Sequence, residues 1–359
     1  MLVTIAIFLI ILIILVLAHE FGHFITAKLA GVKVDEFAFG FPPRIASFQR
    51  GETRYSFNLL PLGGFVKIHG EEGEDLKDPR SFGAKPFYLK IAIIVAGVIF
   101  NLFLAYFLLS LGFMLGTPVP LADDDINPEA EIRITEVQKN SPAELAGIET
   151  GDTLIKFVIG EKTLETSKIQ DVQKFIAEHK GEPVKITLNR SGKIIQEEAT
   201  IRGEVKPGEG ALGIAMTRLG IERLSFFKSL SRGIGVTSDL TTGTAKALWQ
   251  FFSQILAGRA NLEGVSGPIG IVSIVGDFSR FGLVFLIQLT ALLSINLALI
   301  NLIPFPGLDG GRAFFLALEK LKGSPFNWKV SRAVHAAGFA LLILLMIIVT
   351  YHDIVKLNS

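Results

Sequence analysis

The sequence predicts a polytopic α-helical membrane protein with four transmembrane helices, a membrane-associated β-hairpin region on the cytoplasmic side and one small α/β domain on the other side. Three observations predict it. Only 19% of the 359 residues are charged and 50% are hydrophobic, whereas soluble chains carry about 25% charge. The apolar residues concentrate in four stretches without Asp, Glu, Lys or Arg: Val3 to Ala18, Ile91 to Gly116, Phe281 to Ile303 and Ala333 to Tyr351. With its continuation through His19-Glu20 to Ala27, the first is long enough to cross a hydrocarbon core of roughly 30 Å as a helix, and so are the other three. Between the second and third, short alternating segments and turn residues follow one another as in a small soluble domain.

Composition also excludes several chemistries. The chain holds 35 Lys+Arg against 34 Asp+Glu, so it lacks the basic footprint of a nucleic-acid binder, and no nucleic-acid partner is expected. It has no cysteine, which removes disulfides, thiolate metal sites, iron–sulfur centres and Cys nucleophiles. Any metal must be held by His and carboxylate, and only six His exist.

Residues 1–28 form the first span, retained rather than cleaved, because a basic n-region and a small-x-small cleavage site are both missing. Residues 29–86 form a cytoplasmic loop in which Phe37 to Phe48 and Tyr55 to Ile68 flank the turn Gln49-Arg-Gly-Glu52, as in a hairpin. Phe39-Gly-Phe-Pro-Pro43 and Leu62-Gly-Gly-Phe-Val-Lys67 are too apolar for a solvated loop, so this sheet is expected at the membrane face. Residues 87–116 form the second span.

Residues 117–220 hold the α/β domain. Ile132 to Val137 alternates like a strand, and Ser141-Pro-Ala-Glu opens a helix with an N-cap signal. Gly151-Asp152 turns into the strand Leu154 to Val158, and Ile169 to His179 has helical periodicity. The strand Val184 to Leu188 is joined through Arg190-Ser-Gly-Lys193 to Ile194 to Ile201. In 221–280 the apolar residues Leu224, Phe226, Phe227, Leu230, Leu248, Phe251, Phe252 and Ile255 make amphipathic helices, which would rest on the outer membrane surface. A helical linker packed on the domain fits the same periodicity. The third span occupies 281–311, a cytoplasmic segment 312–332, the fourth span 333–352 and a tail 353–359.

Orientation follows from Lys and Arg beside the spans. The segment from Lys28 to Lys90 carries ten of them, and Arg312, Lys320, Lys322, Lys329 and Arg332 follow the third span. The tail has only Lys356, and none precedes the first span. Both termini are therefore expected outside the cytoplasm, as is the long segment between spans two and three.

The chemistry concentrates at His19-Glu20-Phe-Gly-His23. Four helical residues turn about 400°, so both imidazoles share a face and can bind one Zn²⁺. Glu20 is rotated about 100° from His19, close to the metal without ligating it. Ionisable groups within a span are expensive and mark function. A catalytic zinc takes three protein ligands, and without Cys the third must be a carboxylate or His from another helix. Asp309 is the outstanding candidate. It follows Asn301-Leu-Ile-Pro-Phe-Pro-Gly-Leu, where Pro304 and Pro306 end the helix and a new one can begin. Spans one and three run in the same direction, which brings His19, His23 and Asp309 to compatible depth. His69 and His179 are expected at the surface, and His335 as a polar residue within the bundle.

The chain resembles the site-2 protease family of intramembrane zinc metalloproteases, in its bacterial regulator-of-sigma-E (RseP-like) branch. The likeness rests on His19-Glu20-x-x-His23, Gly97-Val-Ile-Phe-Asn101, and Asn301-x-x-Pro304-x-Pro306-x-Leu308-Asp309-Gly310 in order. Gly64-Phe-Val-Lys67 and Ser266-Gly-Pro-Ile-Gly270 match as well. The run Ser141 to Ile155 resembles the bacterial PDZ signature, and Ala211-Leu212-Gly213-Ile214 its peptide-terminus-binding loop, placed last as in circularly permuted domains. The resemblance implies one PDZ domain where some members have two.

It further implies Zn²⁺ held by His19, His23 and Asp309, with Glu20 as general base. Single-span membrane proteins would be the substrates, of the anti-sigma-factor or signal-peptide-remnant type, and the bacterial inner membrane the location. A substrate helix must unwind to expose its carbonyls. Asn301, Asn101 and Asn296, with Pro306, are read as substrate-binding. Leu212, Gly213 and Ile214 would receive a peptide C-terminus by strand addition. The alternative reading is a non-catalytic membrane adaptor that gathers partners through this domain.

Overall fold

The computed structural model of the chain describes residues 2–71, 77–125, 127, 130–190, 192–205, 209–259, 266–324 and 326–358. Ser191 of the expected 190–193 turn and the middle of the 221–280 segment, residues 260–265, lie outside the described residues. The chain divides into two compact units: Met1–Leu111 with Ser229–Val275 and Ile287–Ser359, and Gly112–Lys228 with Gly276–Leu286.

The first unit holds the apolar helices. Four are long and apolar enough to cross a membrane: α1 (Leu2–Leu29), α2 (Phe87–Leu115), α7 (Leu283–Leu302) and α9 (Trp328–Asn358). Much of their apolar surface is exposed. On α9, Phe339, Leu341 and every residue from Ile343 to Ile348 lie open, a surface that suits lipid and not water. α9 starts at Trp328, ahead of the uncharged stretch, because Lys329 and Arg332 can extend their heads to the interface while their stems stay in the helix. α5 (Phe226–Leu256) is a single long helix, and its Val236 and Leu240 pack with Ala105, Leu109, Ala291 and Ile295 of α2 and α7.

The expected hairpin is present as β1 (Val34–Arg50) and β2 (Thr53–Ile68), but each strand is folded back on itself. Phe37 is in register with both Val66 and Tyr55, and Ala38 with both Phe65 and Ser56. The first half of β1 is therefore the centre of the sheet. Its second half pairs with Thr53 to Asn58, from Arg50↔Thr53 to Arg44↔Asn58. Inner positions of the first half alternate buried and half-buried, whereas 42–50 are exposed throughout. Ala27, Val32, Val34, Ile68, Phe82, Ile93 and Ile94 form a buried cluster with Ala313 and Leu316 of α8 (Asp309–Lys322). That cluster fastens the end of α1 to the sheet, α2 and α8. His69 is not a surface group; it lies against Asp35 and Asp78 with its side chain 18% exposed.

The second unit is an antiparallel sheet in the order β3-β9-β4-β5-β7-β8, with β6 on β5. The strands are β3 (Thr117–Pro120), β4 (Glu131–Val137), β5 (Thr153–Ile159), β6 (Lys162–Glu165), β7 (Pro183–Arg190), β8 (Lys193–Thr200) and β9 (Ile214–Glu222). Two short helices, α3 (Pro142–Leu145) and α4 (Ile169–Glu178), accompany them. Ile132, Ile134, Phe157, Val172, Val184, Ile186 and Leu188 make the core, each fully buried. Ser141 caps α3 as its sequence predicts, its hydroxyl accepting from the Glu144 N–H at 3.2 Å. His179 is buried, contrary to the surface position expected. It ends α4, with Nδ1 donating to the Phe175 carbonyl at 2.8 Å. The segment before α7 holds a further helix, α6 (Pro268–Phe281).

Candidate metal centre

α1 supplies both imidazoles from one face, a single turn apart, and each residue is 8% exposed. His23 Nδ1 lies 2.8 Å from the Ile93 carbonyl. A carbonyl only accepts, so Nδ1 carries the proton and Nε2 of the neutral ring presents a lone pair. That lone pair lies 3.3 Å from His19 Nε2 and 3.2 Å from Asp309 Oδ2, and His19 Nε2 lies 3.0 Å from the same oxygen. Asp309 Oδ2 is buried without a hydrogen-bond partner. The His23 Nε2 lone pair and the Asp309 carboxylate oxygen thus face each other at 3.2 Å, an arrangement that repels unless a cation lies between them.

The triangle fits zinc. Tetrahedral ligands at about 2.0–2.1 Å from Zn²⁺ stand about 3.3–3.4 Å from each other, and the three edges measured here are 3.0, 3.2 and 3.3 Å. Among the described residues, His19, His23 and Asp309 are the one group of three or more His, Asp or Glu placed to hold a metal. Three protein ligands leave a position for water or substrate, as catalytic zinc requires.

Close helix approach creates this space. A Cβ at Gly97 of α2 would collide with His23 Nε2 and lie 2.6 Å from His19 Cε1. A Cβ at Gly22 of α1 would lie 2.5 Å from the Ala96 carbonyl oxygen. The packing partners of Gly97 are thus the two imidazoles.

Asp309 reaches the centre because the chain turns sharply after α7. Pro304 and Pro306 cannot donate N–H groups to continue that helix. The carbonyls of Leu302, Ile303 and Phe305 fold back onto Gly310 and Gly311, where any Cβ would collide with them. The Gly307 N–H donates to His335 Nδ1 of α9 at 3.0 Å, and the Pro306 carbonyl sits against Gly338. His335 therefore braces the loop that carries Asp309, a role that no local pattern around it announces. α8 then opens at Asp309.

Glu20 is half-buried beside the triad, within electrostatic range of His23, His19, Asp309 and Arg312. Gly64 of β2 passes over it so closely that a Cβ there would stand 3.1 Å from Glu20 Cγ. Asn101 is fully buried, and its Nδ2 lies 3.3 Å from His19 Nδ1. Asn296 and Asn301 are half-buried on the last turns of α7, about 140° apart around its axis. Pro306 is half-buried in the following loop. In the second unit Leu212 is buried in the core, Gly213 has φ +75° and Ile214 begins β9.

Residues 7–345 match the family model described as Peptidase family M50. Similar proteins include a candidate zinc metalloprotease of Clostridium acetobutylicum, 33% identical over 343 residues that cover 95% of this chain and 94% of that protein. Zinc metalloprotease RasP of Shouchella clausii is 31% identical, with 99% of this chain and 100% of the relative covered. Regulator of sigma-W protease RasP of Bacillus subtilis is 30% identical, with 99% of each covered.

Proposed function

Because this chain belongs to peptidase family M50, the site-2 protease family, we propose that it cuts peptide bonds within or near transmembrane segments of single-span membrane proteins. It is a zinc metallopeptidase, as its relatives are. The observation that carries the fuller reading is the convergence of three atoms able to ligate a metal, from α1 and α8, at 3.0–3.3 Å.

His19, His23 and Asp309 are the zinc ligands in this reading. Bound zinc supplies Lewis acidity towards water and towards a peptide carbonyl. The Glu20 carboxylate takes the proton of the attacking water on an Oε atom and returns it to the nitrogen of the leaving amine. The two imidazoles and Asp309 stay fixed, held by the Ile93 carbonyl and the braced loop. Asn301 and Asn296, beside Pro306, hydrogen-bond substrate backbone freed by local unwinding.

The outer domain is a PDZ domain on this reading, with Leu212, Gly213 and Ile214 at the peptide C-terminus. β9 pairs with β3 only through Leu219 to Glu222, which leaves Ile214 to Thr217 without a β3 partner and suits strand addition there. The Lys and Arg bias puts both termini and this domain outside the cytoplasm of a bacterial inner membrane. An anti-sigma factor already shortened outside, or a signal-peptide remnant, is the substrate type. Glu20→Gln tests the enzymatic core. It should keep stoichiometric zinc while cleavage of a reconstituted model span falls below detection; cleavage at the parental rate refutes the reading.

A further inference from the structure

Asn101 belongs to a motif on α2 that the reaction above leaves without a task. Its side chain has no exposed surface, and its amide end approaches the ligand His19 on the side away from the metal centre. Its Oδ1 is buried with no hydrogen-bond partner. The backbone on either side of it cannot drift, since Asn101 lies inside α2 and its carbonyl accepts the Ser294 hydroxyl of α7 at 2.8 Å.

These facts conflict as long as Nδ2 faces His19. An amide nitrogen only donates, so His19 Nδ1 would have to accept, and its proton would then sit on Nε2. A protonated Nε2 cannot ligate a metal. The two ends of a carboxamide fill nearly the same space, and exchanging them resolves both difficulties. Oδ1 then accepts from Nδ1–H of His19, the buried oxygen is satisfied, and the Nε2 lone pair is directed at Asp309 and His23.

We propose that Asn101 is a positioning residue that holds His19 in the metal-ligating tautomer through its Oδ1. It is the side-chain counterpart of the Ile93 carbonyl, which does the same for His23 at 2.8 Å. Each imidazole thus has one acceptor behind it. Groups behind a ligating imidazole tune affinity 10–100-fold. This assignment rests on His19, His23 and Asp309 being the zinc ligands. It replaces the substrate contact expected of Asn101, because an acceptor aimed at His19 is not available to a peptide.

The test measures zinc affinity of the detergent-solubilised full-length chain by competition with a chelator, and its absorption spectrum after Co²⁺ substitution. Asn101→Leu removes the acceptor at similar volume, whereas Asn101→Asp keeps an acceptor and removes the donor. Asn101→Leu should bind zinc roughly 10- to 100-fold more weakly and shift the Co²⁺ bands, while Asn101→Asp stays within about threefold of the parent. Asn101→Ala takes the place of the Leu variant should that fail to fold. Parental affinity in the Leu or Ala variant overturns the proposal. So does a loss in Asn101→Asp equal to theirs, which would point to the amide N–H₂. Asp309→Asn serves as the control. If it still binds zinc as the parent does, the ligand assignment itself has failed; if only the Asn101 variants are unaffected, the positioning role alone has.

Discussion

Two buried polar clusters, one in each unit, follow opposite rules. In the second unit Asp152 is 1% exposed, and every contact to it is a donor facing an acceptor. Arg190 Nε reaches Oδ1 at 2.8 Å, while Arg190 Nη2 and the Glu149 N–H reach Oδ2 at 2.7 and 2.9 Å. Arg190 also donates to Glu149 and to the Gly147 carbonyl. Around Asp309, by contrast, the His23 Nε2 lone pair is turned towards a carboxylate oxygen 3.2 Å away, and that oxygen has no hydrogen-bond partner. Burial of a carboxylate alone does not mark function. A cluster that satisfies itself is architecture, and one that would repel itself is waiting for a cation.

The difference can be broken first at the metal centre, where the largest effect is expected. Asp309→Asn should abolish stoichiometric zinc binding and lower activity on the order of a thousandfold or more, since the Lewis acid supplies several kcal/mol. Chelation of the parent protein should match it. The thermal midpoint of the metal-free protein should hold or rise, because replacing the carboxylate relieves its repulsion with the His23 Nε2 lone pair. A marked fall in that midpoint would mean that Asp309 is architecture after all. Gly97→Ala ranks next. The added methyl meets both imidazoles, and such overpacking costs about 1–3 kcal/mol, which should weaken zinc roughly 10- to 100-fold in the same competition assay.

Much of the centre was legible because its parts are local or chemically forced. The spacing of His19 and His23 needs only the helical period. Absence of Cys together with a single Asp behind a proline-broken span pointed to Asp309. The four long apolar helices follow from uncharged stretches, and Ser141 announced its own cap. What stayed hidden is carried by distant partners. The Ile93 carbonyl is backbone and has no sequence signature. The folding of β1 and β2 into halves is a matter of register, which alternation alone leaves open. α6 depends on a distant partner as well. Its start is held by Asp353, 83 positions later, which accepts the Gly270 N–H at 2.8 Å.

The self-satisfied cluster predicts a smaller and different effect. Asp152→Asn leaves Arg190 facing a neutral amide and should destabilise the second unit by about 2–3 kcal/mol, the partial exposure of Arg190 holding it below a fully buried pair. Chemical unfolding followed by a probe confined to that domain reads this directly. Zinc affinity should be unchanged. A change in zinc affinity would mean that the two clusters are coupled and the contrast is false.

The mildest case sharpens the contrast with a carboxylate that is neither buried nor opposed. Asp123 caps α4 from 46 positions upstream, its two oxygens accepting the Ile169 and Gln170 N–H groups at 3.0 and 2.9 Å. Burial pushes its carboxyl up, but these two bonds and the nearby Arg218 and Lys168 outweigh burial and hold it below the usual range. A carboxyl depressed by folding binds its proton more readily in the unfolded chain. Its contribution is therefore complete above the ordinary Asp value of about 4 and disappears as pH falls through the lower folded value. Asp123→Ala should flatten that part of the second unit's stability profile and lower its stability slightly at neutral pH. If the variant and parent profiles stay parallel down to about pH 2, Asp123 is a surface charge beside the helix rather than its cap.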